Sequence, residues 1–254
     1  MARYPFRIVL FFLLVFFSFC SEGCSSKRVT FRIGIDPSFY PLSLAGKEMN
    51  VSAFTDDLLK EISQLEGIYF EKITMSWDNL VNGLQEEKYD GMISTIYPYI
   101  FNLSTYDFSE LLLHTGPVLL MNRSFESDST QGMVGKEVAV DSLQNEALLI
   151  QAYPDVIVRR YFQVPEVIHD ILIEELDGAL IDNISAIAFA REIYQDKLTL
   201  VSGPLNDAGL RMIMPKGKSE QLISSFNKGL SKARDSGIYD RLLKKWGLAS
   251  KESN

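Results

Sequence analysis

Apolar and polar residues alternate over Val29-Thr30-Phe31-Arg32-Ile33-Gly34-Ile35 and stop at Asp36-Pro37, the signature of a half-buried strand closed by a turn. Phe54, Leu58, Ile62 and Leu65 then recur at helical spacing. Residues 69–75 read as a strand, Ser76 as the cap of a helix carrying Leu80, Val81 and Leu84, and 91–96 as another strand. The alternation restarts with strands at 137–140, 156–162, 178–181 and 198–201. Helices are expected at 146–153, 164–176 and 184–194 between them. A strand over 210–214 and two helices, 219–234 and 237–246, finish the chain. Repeated strand–helix units predict an α/β protein with mainly parallel sheets flanked by helices. Tyr89-Asp90-Gly91-Met92-Ile93-Ser94 is echoed by Leu176-Asp177-Gly178-Ala179-Leu180-Ile181, which suggests two similar lobes, although Asp-Gly is common at such turns.

Residues 1–23 stand apart from this pattern. Arg3 and Arg7 precede an almost wholly apolar run from Ile8 to Phe19, too short for a comfortable membrane span and typical of a secretory signal peptide. Both cysteines lie in this segment or directly after it, at Cys20 and Cys24, so the mature chain has no internal disulfide to form. Gly23-Cys24-Ser25-Ser26 resembles a bacterial lipoprotein processing site, which implies an exported, periplasmic protein with Cys24 lipidated and held at a membrane. The net charge of −8 and a pI near 4.9 argue against a nucleic-acid partner.

Enzyme signatures are sparse. There is no GxGxxG, phosphate loop, GxSxG or HExxH, and the two histidines, His114 and His169, are too far apart to suggest a local metal pair. No cofactor and no metal are expected. Acidic residues do recur at predicted strand ends, at Asp36, Asp141 and Asp182, with Phe39, Tyr40, Trp77, Tyr97 and Tyr99 close by in sequence. Ligands of open α/β sheets sit beyond those ends. Carboxylates there suit an ammonium, and aromatics enclose an apolar or cationic side chain. The same residues also suit helix caps and a core.

The chain resembles the periplasmic amino-acid-binding proteins of ABC importers, the glutamine-binding branch above all. The resemblance is carried by Ile35-Asp36-Pro37-Ser38-Phe39-Tyr40-Pro41-Leu42, Met75-Ser76-Trp77-Asp78-Asn79-Leu80, Lys88-Tyr89-Asp90, Tyr106-Asp107-Phe108-Ser109, Gly135-Lys136-Glu137-Val138-Ala139-Val140, Leu176 to Asp182 and Pro215-Lys216-Gly217. It spans nearly all of the mature chain and implies a two-lobed periplasmic-binding-protein fold joined by two hinge strands. Lobe one then comprises 28–111 plus 211–250 and lobe two 117–205, with crossings at 112–116 and 206–210. Asp36, Phe39, Thr95 and Tyr97 fall in ligand positions, Trp77 at the aromatic that packs on the ligand, and Asp182 at the acid that takes the α-ammonium. Two positions depart from the pattern. Asn102 stands where the family has its carboxylate-clamping Arg, and Ser142-Leu143-Gln144-Asn145, beside Asp141, replaces a Ser-Gly-Thr turn. Amine recognition is therefore kept, and carboxylate recognition is rebuilt or lost, with Arg211 available as a replacement cation.

The resemblance implies a monomeric solute-binding protein that captures a small amine-bearing solute, such as an amino acid, and delivers it to an ABC permease without catalysis. A dehydratase on the same fold and a sensory or surface ligand-binding protein are the alternatives. Asn102 counts against the dehydratase, whose carboxylic-acid substrates also need a clamp. Mass spectrometry of the mature N-terminus is expected to show the leader removed and Cys24 lipid-modified; an intact leader or an unmodified terminus elsewhere contradicts this.

Overall fold

The computed structural model describes residues 28–125 and 130–249. The expected leader and the lipidation of Cys24 lie outside the described residues. Strands β1 (Thr30–Ile35), β2 (Tyr69–Thr74), β3 (Gly91–Ser94) and β4 (Tyr106–His114) come first. The chain then crosses into a second sheet through Thr115-Gly116 and builds β5 (Pro117–Asn122), β6 (Glu137–Val140), β7 (Ile157–Arg160), β8 (Gly178–Asp182) and β9 (Leu198–Leu200). It returns to the first sheet over 201–208 to add β10 (Gly209–Pro215). The helices are α1 (Glu48–Glu66), α2 (Trp77–Gln85), α3 (Ile100–Leu103), α4 (Leu143–Ala152), α5 (Val164–Leu172), α6 (Asn183–Ala188), α7 (Glu220–Asp235) and α8 (Ile238–Lys245). A π-helical turn, Phe189–Ile193, continues α6.

The first sheet runs β2-β1-β3-β10-β4 and the second β7-β6-β8-β5-β9. The two orders are the same topology, with β1 matching β6, β3 matching β8 and β10 matching β5. The sheets are mixed rather than mainly parallel: β1 pairs in parallel with β2 and β3, and β6 with β7 and β8, while β10 and β5 are antiparallel to both their neighbours. The reason is connectivity. β5 and β10 each enter from the other lobe, at the edge where their neighbours end, and so must run the opposite way.

The echoed Asp-Gly pairs have one role in both lobes. Asp90 Oδ2 accepts from the N–H of Arg32 at 2.7 Å, and Asp177 Oδ2 accepts from the N–H of Glu137 at 2.8 Å. Each Asp thus satisfies a backbone donor at the start of the neighbouring strand, β1 or β6. In the second lobe the glycine that follows has no room for a Cβ, which at Gly178 would lie 2.6 Å from Leu120 O; at Gly91 the space is tight, with Leu222 Cδ2 at 3.0 Å.

Adjacent residues of the central strands feed opposite cores, which is the period of two expected of strands covered on both faces. Ile93, Met212 and Met214 pack with Phe54, Leu58 and Ile62 of α1 and Phe226 and Leu230 of α7. Met92 and Ile213 pack on the other face with Leu80 and Leu84 of α2 and with Tyr89. The second lobe repeats this, Ala139 and Ile181 meeting α5 while Val138, Val140 and Leu180 meet Leu149 of α4. Two strand segments escaped the periodicity reading, β4 and β5. Their runs Glu110-Leu111-Leu112-Leu113 and Pro117-Val118-Leu119-Leu120-Met121 are continuously apolar or nearly so, which leaves no alternation to read.

The Tyr89 ring is the wedge that fixes α2 on β1. It is fully buried between Gly34 and Gly83, and its hydroxyl donates to Leu80 O. A Cβ at Gly34 would sit 2.6 Å from two ring carbons, and one at Gly83 2.8 Å from a third. The ring is gripped from both sides and cannot give way. Gly34→Ala should therefore overpack this contact and cost about 1–3 kcal/mol, lowering the melting temperature by roughly 5 °C; calorimetry showing an unchanged melting temperature would contradict the wedge.

Candidate ligand-binding site

The carboxyl ends of β6, β7 and β8 meet at one edge of the second sheet. Val140 is level with Arg160 in the β6–β7 register, which puts Asp141 and Tyr161 side by side just past the strands, and Asp182 ends β8. The Tyr161 N–H donates to Val140 O at 3.1 Å, and its hydroxyl reaches back to Leu180 O at 3.3 Å. Asp182 stands at the N-cap position of α6, yet its side chain makes no capping bond. Its carboxylate is instead turned to the other lobe, where it accepts from the Ser43 N–H. Burial, with the Asp141 charge as a second cause, pushes the Asp182 carboxyl up to about 6. The same two effects, burial first, raise the Tyr161 hydroxyl further, through both aspartates. Asp141 itself is exposed and accepts from Asn145 Nδ2 at 2.7 Å, while Ser142 Oγ accepts from the Asn145 N–H at 3.2 Å to cap α4.

The facing edge of the first sheet supplies aromatics. Asp36 directly follows β1, buried, and its carboxylate is used locally: it accepts from the Ser38 N–H at 2.9 Å and from Ser38 Oγ at 2.8 Å. Asp36, Ser38, Tyr40, Ser76, Trp77 and Asp78 line one open recess. Trp77 begins α2, and the Tyr40 and Trp77 rings lie 5.8 Å apart. Phe39 does not take part. It is 3% exposed and belongs to the first-lobe core, with a left-handed φ of 54° that turns Tyr40 outward in its place. Sequence alone cannot tell which of two adjacent aromatics faces inward when a turn reverses the alternation.

Thr95 is half-buried just past β3. Beyond it, Tyr97 and Tyr99 lie 4.6 Å apart, and Tyr99 stacks on Phe101 at 5.4 Å. Asn102, in α3, donates from Nδ2 to Tyr97 O at 2.7 Å and so braces this aromatic loop. Tyr97 donates to Asp207, a bond that holds the Asp207 carboxyl below the usual carboxylate range and the Tyr97 hydroxyl above its own. Arg211 is not a solvated strand residue, and its charge is already paired. It is 9% exposed, pairs with Asp207 Oδ2 at 3.1 Å and donates to Ser109 O at 3.2 Å.

The lobes touch at several points that the sequence did not disclose. Ser43 meets both Asp182 and Ser185, whose hydroxyl donates to Ser43 O. Gln144 Nε2 donates to the Tyr99 hydroxyl at 3.2 Å. Lys47, buried at the start of α1, pairs with Glu192 on the π-helical turn. Each contact joins residues far apart in the chain through a loop backbone or an ordinary polar side chain, so no local pattern marks it. Tyr161 carried a signal that could have been used: it directly follows β7, level with Asp141.

Among the described residues, no group of three or more His, Cys, Asp and Glu could hold a metal ion, and no helix is long and apolar enough to cross a membrane. This two-lobed arrangement is that of known solute receptors. The L-cystine solute receptor of Neisseria gonorrhoeae, in its unliganded open conformation, superposes with a TM-score of 0.70 at 16% identity, over 90% of this chain and 96% of that one. The L-cystine-binding protein TcyJ of Escherichia coli K12 is 23% identical over 235 residues, covering 90% of this chain and 88% of that protein. The lysine/arginine/ornithine-binding periplasmic protein of the same strain is 26% identical over 250 residues, covering 92% and 94%. Residues 31–249 match the model of the bacterial extracellular solute-binding proteins, family 3, and with the fold and the two facing strand edges they place the chain in that family.

Proposed function

We propose that this protein captures a small amine-bearing solute, an amino acid or a close relative, between its two lobes and delivers it to an ABC permease without chemical change. The observation that carries the reading is Asp182: a desolvated carboxylate at a strand end, unused by the helix it precedes, at the junction of the lobes. A half-buried anion in that position is stabilised most by an ammonium that replaces lost water. Trp77 and Tyr40 on the facing edge suit the rest of a small cationic or apolar solute. The similar Escherichia coli proteins bind cystine in one case and lysine, arginine or ornithine in the other, all of them amines. The chain crossings at 112–116 and 206–210 would act as the hinge, with lobe one as 28–111 plus 211–250 and lobe two as 117–205. Lipidation of Cys24 would keep the receptor beside its permease.

The Asp182 carboxyl gives the proposal a pH signature. In the ligand-free protein its pKa is about 6, raised above the unfolded value, so its burial as an anion costs stability above pH 6 and the penalty fades as pH falls toward 4. An ammonium ligand needs the ionised form. Affinity for an amine should therefore be constant above pH 7 and fall about tenfold by pH 5. Asp182→Asn should weaken binding at pH 7.5 by at least tenfold, in line with the roughly 2–5 kcal/mol cost of truncating one member of a desolvated pair. It should also flatten the pH profile while leaving the circular dichroism spectrum unchanged. Wild-type affinity in Asp182→Asn would reject the anchor.

A further inference from the structure

The charges around the cleft are unbalanced. Among the described residues, no ion pair reaches Asp36, Asp141 or Asp182; their partners are a serine, an asparagine amide and a backbone N–H. The cations near the strand ends and the lobe junction are already matched. Arg211 is held by Asp207 and Ser109, Lys47 by Glu192, and Arg160, the last residue of β7, by Glu146 in the first turn of α4. Beside them stand the Tyr40–Trp77 and Tyr97–Tyr99 aromatic pairs, whose faces favour positive charge, a further acid, Asp78, and uncharged polar groups such as Ser76 and Asn102, whose amide is bonded to Tyr97 O.

A solute with a free carboxylate entering this space would bring an anion toward three others and lose its hydration without gaining a cation. Recruiting Arg211, Lys47 or Arg160 would first break an existing ion pair, and Arg211 and Lys47 are themselves largely buried in those pairs, which offsets part of what the carboxylate would gain. A solute with a second positive group, or with its carboxylate masked or missing, meets no such cost and gains from the acidic field and the aromatic faces. Resting on the amine-capture reading above, we propose that the site selects organic cations without a free carboxylate, such as diamines, guanidino-amines or amino-acid amides, over the corresponding free amino acids.

Titration calorimetry at pH 7.5 with the free acid, the carboxyamide and the decarboxylated amine of arginine, lysine and histidine tests this on the purified protein. The carboxyamide or the amine should bind at least tenfold tighter than its parent acid in the series that binds best. Asp141→Asn should narrow that gap, because it removes part of the field opposing the carboxylate. If the free acid binds as tightly as its amide or tighter, the inference is overturned, while capture of an amine still stands. If all nine compounds fail to bind, both the inference and the amine-capture reading fall.

Discussion

The arrangement turns on one carboxylate partly withdrawn from water. Asp182 closes the central strand of the second sheet, with Asp141 and Tyr161 on the neighbouring strand ends and the Ser43 backbone reaching it from the other lobe. Desolvation and a like charge both disfavour its ionised form. The protein holds it there because β8 is buried on both faces and can end only at the lobe junction, where Asn183 is tied to the crossing strand by its N–H to Thr115 O and its side-chain amide to His114 O, each at 3.3 Å. Ile184, one residue further, packs into the first-lobe core. The anchor, the crossing and the lobe contact are thus consecutive in sequence, so the state of the site and the relative placement of the lobes cannot be set independently.

The near-identical order of the two sheets explains why that junction exists. Each lobe is four strands of one direction interrupted by one strand that arrives from the other lobe. The arriving strand forces the two sheets to face each other by the edges at which their parallel strands end. In the first lobe that edge carries Tyr40 and Trp77, the latter on the α2 that the Tyr89 wedge fixes, together with Asp36; in the second it carries Asp141 and Asp182. The aromatics of the recess lie on one lobe and Asp182 on the other, and a solute touching both has a reason to hold them together.

Much of this was legible in the sequence, and the exceptions share physical causes. Helices α1, α5 and α7 and strands β1, β6 and β8 follow directly from apolar spacing, since each buries a definite stripe or face. β4 and β5 were hidden by continuous apolar runs, and the sheets proved mixed because pairing direction depends on where a strand enters, which no local pattern records. The acids at strand ends were visible, but their differing roles were not. Asp36 serves its own turn, Asp141 an asparagine of α4 and Asp182 the opposite lobe, a distinction set by loop conformation. Arg211 looked available because sequence shows a charge and not its partner; Asp207, four residues earlier, takes it. Phe39 and Tyr40 exchanged roles through a single left-handed residue.

The central claim is that a ligand ammonium meets the Asp182 carboxylate, and proton release on binding tests it most directly. At pH 6 the carboxyl is about half protonated in the free protein, so a bound ammonium must displace roughly half a proton. Calorimetry at pH 6 in buffers of different ionisation heats, with an amine fully protonated at that pH, should show that release, and at pH 8 it should vanish. Binding at pH 6 with no proton released would contradict the account.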